Sequence, residues 1–395
     1  MPLLITFLAM IPLAVWEPVS ASDSNLVVLV SDNEADYALA SSVVGLLGAR
    51  LIVTPWGTYN ATVSAEVLTA QPSRVIIIGG PVAVVSEYTQ DLEDFGIPYE
   101  RWYGADRYGT NLAVVGYLKE EFPGELGEVH DVAVVNGQDI LAMQHYVRYY
   151  VRDHTGKKWL IVLTGQSHLN ETLDVLGMLG FPENLTYIAS VRGGSSSPMF
   201  PLNRKKMDVW FNVHFGGIPP ISMDMISPEN EGGAYQVLME IQNRTLRAEH
   251  YLDGLRLPGA RKKMEKAEEY LSLAWNAYDS GNTAGAYLLA VKAGFMADAV
   301  MLSVHRAMDT VFQGSPKIRL SAKLRWMKEI IEYLRDNGYD VEQLEALLSQ
   351  AENALNAGQF ERVLQELHQI KEQMTANVRR GNPAWHRGGR SRGRP

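Results

Sequence analysis

Val75-Ile76-Ile77-Ile78-Gly79-Gly80-Pro81-Val82-Ala83-Val84-Val85-Ser86 decides how the chain is read. The branched apolar run has the composition of a strand buried on both faces, and the glycine pair ends it in a turn before an amphipathic segment begins. Arg101-Trp102-Tyr103-Gly104-Ala105-Asp106-Arg107-Tyr108-Gly109-Thr110-Asn111 then gives a second turn that opens a second helix. Asp106 is placed to accept from the orphan amide donors of that helix and to meet the positive end of its dipole, while Arg107 is left to project.

Working outward, the same alternation holds on both sides. Leu26-Val27-Val28-Leu29-Val30, a helical pattern over 35–47, Leu51-Ile52-Val53-Thr54 and a helical pattern over 61–69 precede the quoted strand. Short β-branched runs separated by amphipathic stretches predict βαβ units on a parallel sheet. The pattern restarts at Asp131-Val132-Ala133-Val134-Val135-Asn136, then Trp159-Leu160-Ile161-Val162-Leu163-Thr164, then Leu185-Thr186-Tyr187-Ile188-Ala189. The loop Ser31-Asp32-Asn33-Glu34 recurs as Asn136-Gly137-Gln138-Asp139, so two tandem copies are predicted, the second degraded. Alternation of Met207, Val209, Phe211, Val213 and Phe215 predicts a last edge strand over 207–215. A boundary follows at 219–234, where Pro219, Pro220 and Pro228 fall.

The two quoted motifs, occurring in order and spacing, resemble the cell wall binding repeat 2 family. The resemblance covers roughly 25–190. It implies units with a polar loop after the first strand, an apolar strand ending in Thr and a third strand ending in Gly-Gly. In the second copy the glycine pair is displaced to Gly193-Gly194 and no second Asp-Arg-Tyr follows. Family members are often built from three copies around a pseudo-threefold axis; two are visible here. The resemblance further implies non-covalent attachment to an envelope polymer or surface layer.

Beyond Ala234 strand-like runs vanish and helical periodicity takes over. Ala274-Trp275-Asn276-Ala277-Tyr278-Asp279-Ser280-Gly281-Asn282 resembles Ala351-Glu352-Asn353-Ala354-Leu355-Asn356-Ala357-Gly358-Gln359, with glycine where one helix stops and the next begins. Two related hairpins packed as a bundle are therefore predicted. The expected fold class is Rossmann-like α/β parallel-sheet repeats followed by an all-α helical bundle. The predicted boundaries are 1–21, 22–124, 125–218, 219–234, 235–378 and 379–395.

Residues 1–16 carry no charged side chain, and Val19-Ser20-Ala21 presents small residues at cleavage spacing, so a signal peptide ending at Ala21 and an extracellular, cell-surface location are expected. No later segment reads as long enough to span a bilayer. Four glycosylation sequons, at Asn60, Asn170, Asn184 and Asn243, fit export. The chain has no cysteine, which removes disulfides, thiolate metal sites and cysteine nucleophiles. Net charge is -9, yet Arg379, Arg380, Arg387, Arg390, Arg392 and Arg394 stand in a final stretch without acids, so the remainder carries -15.

Candidate polymer-binding residues are Asp32, Asn33, Gly79, Gly80, Arg101, Asp106, Arg107, Asn136 and Asp139, all expected at strand ends or helix starts, where open α/β sheets hold ligands. Planar polar groups suit sugar hydroxyls, and Arg107 suits an acidic group; Asp106 reads equally as a cap and Arg107 as an internal bridge. Gly79-Gly80-Pro81 lacks Gly-x-Gly-x-x-Gly and a Walker lysine, which disfavours nucleotide. His130, His145, His154 and His168 fit no zinc pattern, and Gly165-Gln166-Ser167-His168-Leu169 fails the nucleophile elbow. No cofactor, metal or catalytic residue is expected. The reading is a non-catalytic envelope protein whose partners are a polymer or surface-layer protein, with helices for display or oligomerisation and no nucleic-acid partner. A soluble-ligand receptor and an envelope-polymer hydrolase are the alternatives.

Overall fold

The computed structural model describes residues 25–152, 157–193 and 195–381. The expected signal peptide, His154, Gly194 and Arg387, Arg390, Arg392 and Arg394 lie outside the described residues. The first unit comprises β1 (Leu26–Ser31), α1 (Glu34–Leu47), β2 (Arg50–Thr54), α2 (Ala61–Ala70), β3 (Arg74–Ile78), α3 (Ser86–Asp94), β4 (Tyr99–Trp102) and α4 (Arg107–Glu121). After the short α5 (Pro123–Leu126), the second unit begins with β5 (Asp131–Asn136) and α6 (Ile140–His145), continued by a π-helical stretch over Tyr146–Arg152. It goes on through β6 (Trp159–Thr164), α7 (Leu169–Leu179), β7 (Asn184–Ser190), α8 (Arg204–Phe215) and β8 (Ile221–Ile226).

The two sheets have the same plan. Strand order is β2-β1-β3-β4 in one and β6-β5-β7-β8 in the other, with every pairing parallel. In sheet 1 the period of two sorts each strand between two cores. Val28, Val30, Ile76 and Ile78 face α1, α4 and the second unit, whereas Val27, Leu29, Val75 and Ile77 face the side of α2 and α3 with Tyr88 and Leu92. Burial on both faces is why these runs are unbroken hydrophobic.

Residues 207–215 are helical, not an edge strand. Met207 and Phe211, four apart, are buried on one face, while Val209 is 64% and Val213 72% exposed. Apolar residues left in solvent imitated strand alternation. The edge strand is β8, inside the stretch read as a linker; it pairs with β7 from Leu185↔Ile221 to Ser190↔Ile226.

The helical region is α9 (Gly233–Leu252), α10 (Pro258–Asp279), α11 (Thr283–Gly314), α12 (Pro316–Asp336), α13 (Glu342–Asn356) and α14 (Phe360–Arg379). Gly281 and Gly358 end their helices at φ 81° and 70°, the left-handed geometry the sequence demanded. The two hairpins do not share one bundle. Leu324, Ile331, Leu344, Leu367 and Ile370 of α12–α14 form a core with Ala61, Ala65 and Leu68 of α2. By contrast, α9–α11 pack over the strand ends, sharing cores with the α/β units.

Contrary to the sequence expectation, Thr283–Met308 within α11 is long and apolar enough to cross a bilayer by length and composition. Here it is an internal helix: Tyr287, Ala290, Ala293, Ala297 and Val300 are fully buried, and Asp298 is ion-paired.

Candidate functional site

Because every strand is parallel, the carboxyl ends of β1, β3 and β4 open at one edge, and the turns that follow them meet α11 there. Between them lies a cleft of about 490 Å³ lined by Asn33, Asp36, Trp56, Gly80, Tyr103, Asp106, Arg107, Phe295 and Asp298. Gly79 has φ 116°, and a Cβ there would stand 3.1 Å from Asp36 Oδ2, so the glycine both makes the turn and admits the carboxylate. Asp36 is 8% exposed. Burial pushes its pKa up to about 6, the Arg107 charge opposing.

The predicted residues divide by what they touch. Asn33 caps α1, its side chain accepting from Ala35 N at 3.2 Å, and Asp106 caps α4, accepting from Tyr108 N at 2.9 Å and Gly109 N at 2.8 Å. Both also line the cleft. Arg101 is turned inward, its Nη1 donating to Gly79 O at 2.9 Å and Val84 O at 2.8 Å, so it holds the glycine turn in place. Asp32 accepts from Trp56 N at 2.7 Å and pairs with Arg247 of α9 at 2.9 Å. Asn136 donates to Pro201 O at 2.7 Å and accepts from Gln138 N at 2.9 Å.

Asp139 is fully buried. It caps α6 through Ala142 N and accepts from Ser190 N at 2.7 Å, from the Ser190 hydroxyl and from Tyr287 OH at 2.8 Å. Burial raises its pKa against those hydrogen bonds. It is a rivet between α6, β7 and α11, remote from solvent.

The Gly-Ala-Asp-Arg-Tyr stretch works as a joint between units. Arg107 Nη1 donates to Gly137 O of the second unit while its guanidinium lies 5.4 Å from the Phe295 ring centre. Tyr108 enters a slot between Gly137 and Gly165 and stacks on His168 with centroids 4.0 Å apart. A Cβ on Gly165 would stand 2.6 Å from the Tyr108 oxygen, and one on Gly137 2.9 Å from Tyr108 Cε1. Three residues on, Asn111 closes the otherwise unpaired edge of β6, donating to Ile161 O at 3.1 Å and accepting from Leu163 N at 2.8 Å.

Beside the cleft, Arg244 of α9 binds buried Glu34 and lies 3.5 Å from Asp298 and 3.3 Å from Glu240. Burial by itself would raise the Glu34 pKa, but the Arg244 charge and the hydrogen bonds to the carboxylate together outweigh it, and the net shift is downward. Glu240 beside it is pushed up to about 8 by burial and by the Glu34 charge. Sequence reasoning missed Arg244, Arg247, Asp298, Trp56, Tyr103 and Tyr287; the signal present was charge, Asp298 in a long apolar helix and two arginines on one face of α9. Among the described residues no group of three or more His, Asp or Glu is arranged to hold a metal.

No protein-family model matches the chain. A segment of 141 residues, 36% of this chain and 41% of the relative, is 41% identical to an uncharacterized protein of Methanocaldococcus jannaschii, MJ0755. The chain therefore matches less than half the length of that relative. Among solved structures, Cwp6 from Clostridium difficile, a cell wall protein, aligns with a TM-score of 0.37 and 20% identity over 51% of this chain and 29% of that one.

Proposed function

We propose that the chain is an exported, non-catalytic binding protein of the cell envelope that grips a hydroxyl-rich polymer segment, or a surface-layer protein bearing one, in the sheet 1 cleft. The observation that carries this reading is the composition of that cleft: aromatic rings of Trp56 and Tyr103 beside the planar polar groups of Asn33, Asp36 and Asp106. Sugar rings offer apolar faces to the first and hydroxyls to the second. Tyr103 is 47% exposed, so its ring is open to a partner. Arg107, committed to Gly137 and Phe295, contributes to the joint more than to the ligand. Export and a cell-surface location belong to the same proposal and rest on the apolar run and small-residue triplet that precede Asn25.

Retention of the purified chain on isolated cell envelopes tests it. Tyr103→Ala and Trp56→Ala should each lower retention about tenfold, the loss of roughly 1.4 kcal/mol that one aromatic contact supplies. Retention equal to the parent chain for both variants overturns the reading. A hydrolase is the second reading, favoured by one observation: Asp36 and Asp298 line the same cleft, and burial raises the pKa of each. Release of soluble sugar from envelopes by the parent chain but not by Asp36→Asn would establish it.

A further inference from the structure

We propose that the open edge of β8 is a docking site for an extended, acidic peptide segment of a partner protein, which adds there as a fifth strand of the second sheet. In a parallel pair, alternate residues of a strand turn their N–H and C=O to the neighbour. Pro220 O accepts from Leu185 N at 2.9 Å and Ile226 O from Val191 N at 2.9 Å, so the even-numbered residues of β8 are the ones that face β7. The N–H and C=O of Ile221, Met223 and Met225 therefore point away from β7, and among the described residues no group bonds to them.

Strand edges are ordinarily blunted by a lysine, a proline or a bulge. β8 reads Ile221-Ser222-Met223-Asp224-Met225-Ile226, without lysine or proline, and its register with β7 runs unbroken from Leu185↔Ile221 to Ser190↔Ile226. Its one charged residue, Asp224, is held on the face opposite Met223 and Met225 by His145 Nε2 at 2.8 Å and by Tyr150 OH at 2.8 Å. At the far side of the same sheet Asn111 closes the edge of β6. One edge of the sheet is sealed, and the other is left able to pair.

A groove of about 890 Å³ adjoins β8, lined by the half-buried Met223 and Met225, by Phe200, and by the exposed Arg204, Lys205 and Lys206 of the first turn of α8. Met223 and Met225 share one face of the strand, so every second side chain of an added strand falls on the groove side. Methionine adapts its shape to whatever apolar group arrives. Among the described residues no acid lines the groove, Lys205 and Lys206 have no ion-pair partner, and Arg204 has only Asp208, one turn on, at 3.8 Å. In a chain of net charge -9 this is a local excess of positive charge. The cations repel one another and oppose the dipole of α8, and acidic side chains on an added strand relieve both.

The edge and the cations together select the occupant. An anionic polysaccharide answers the cations but lacks the regular N–H and C=O alternation that the edge offers to a strand. A second copy of β8 has that alternation, but its groove brings the same positive charge. The groove shares no lining residue with the sheet 1 cleft, so this docking site is independent of what the cleft holds.

A fluorescein-labelled peptide of alternating glutamate and valine, titrated with the full chain and followed by fluorescence anisotropy, tests the proposal. It should bind, and a copy methylated on every backbone nitrogen, equally charged but with no N–H to donate, should bind at least about tenfold more weakly. Lys205→Glu together with Lys206→Glu, both at exposed positions, should weaken the unmethylated peptide about tenfold, and a lysine–valine peptide should not bind the parent chain. Met223→Pro removes an N–H that points away from β7, so it leaves the ladder intact while blocking an added strand; loss of peptide binding with nearly unchanged melting is expected. Absence of binding, or equal binding of the methylated and unmethylated peptides, overturns the proposal. So does unchanged binding to the double variant, which would assign the peptide to the arginines after Val378. Self-association of the parent chain that Met223→Pro abolishes would put a second copy on the edge and overturn it as well.

Discussion

The two α/β units share strand order and register, yet their free edges and strand ends have opposite fates. In the second unit every residue of β6 is buried, Asn111 seals its edge, and the carboxyl end is plugged by Asp139 and Tyr287. In the first, β2 leaves Val53 37% exposed, and the carboxyl end opens into the cleft. The difference comes from which helix arrives. The second unit receives α4 of its neighbour, whose Tyr108 fits glycines 137 and 165; the first has Asp32 and Pro55 at the corresponding points and meets α9 through ion pairs instead. A repeated scaffold therefore does not repeat its chemistry: after the first strand of one copy a buried carboxylate is plugged by a tyrosine, and after the first strand of the other the chain opens into a cleft.

Arg244→Ala should do the most damage to this contrast, because it leaves Glu34 and Asp298 as buried acids without their partner; a loss of about 3–5 kcal/mol in denaturant unfolding is expected. Tyr108→Ala empties the glycine slot and should cost about 3 kcal/mol, with Gly165→Val as disruptive because its side chain would occupy the place of the phenol. Asn111→Ala leaves Leu163 N–H and Ile161 C=O unpaired at the β6 edge, an expected loss of about 2 kcal/mol. A change under about 0.5 kcal/mol for Asn111→Ala would mean that this edge is no more closed than β2.

A smaller effect separates the units by pH. Asp36 has a folded pKa of about 6 against an ordinary 3.8, so the folded state holds this proton more tightly than the unfolded chain. Its contribution is whole below 3.8 and is lost as pH rises through about 6. Asp36→Asn should match the parent in acid and melt at higher temperature above that pH. Glu34 runs the other way: with its pKa lowered, its contribution is present above 4.5 and lost in acid. The smallest expected effect is that of Tyr103→Ala on stability, within about 0.5 kcal/mol, since the ring is largely in solvent; loss of envelope retention with unchanged melting would assign it to the ligand.

Strands β1, β3, β5, β6 and β7 were legible because they are buried on both faces, and continuous runs such as Val75-Ile76-Ile77-Ile78 have no other economical explanation, whereas β4, Tyr99–Trp102, passed for the lead-in to a turn. The glycine caps at 281 and 358 were legible because few residues tolerate that backbone. What failed was local pattern under solvent: Val209 and Val213, exposed on α8, counterfeited a strand, while Ile221-Ser222-Met223-Asp224-Met225-Ile226 was hidden by flanking prolines. Of the candidate site, Asn33, Gly80, Asp106 and Arg107 converge on the cleft, but Arg101 and Asp139 turned inward. Their partners, Val84, Ser190 and Tyr287, stand far along the chain, and no short-range spacing announces such pairs.

The salt link between Glu34 and Arg244 joins positions 210 residues apart. During synthesis the cover of β6, namely α1 and α4, is already outside the ribosome when β6 emerges, so the second sheet has a template waiting. The acids at the end of the first sheet have none, and they must remain hydrated until α9 and α11 have been translated. The cleft is thus complete only once the chain through α11 has been made, as is the Tyr287 plug on Asp139.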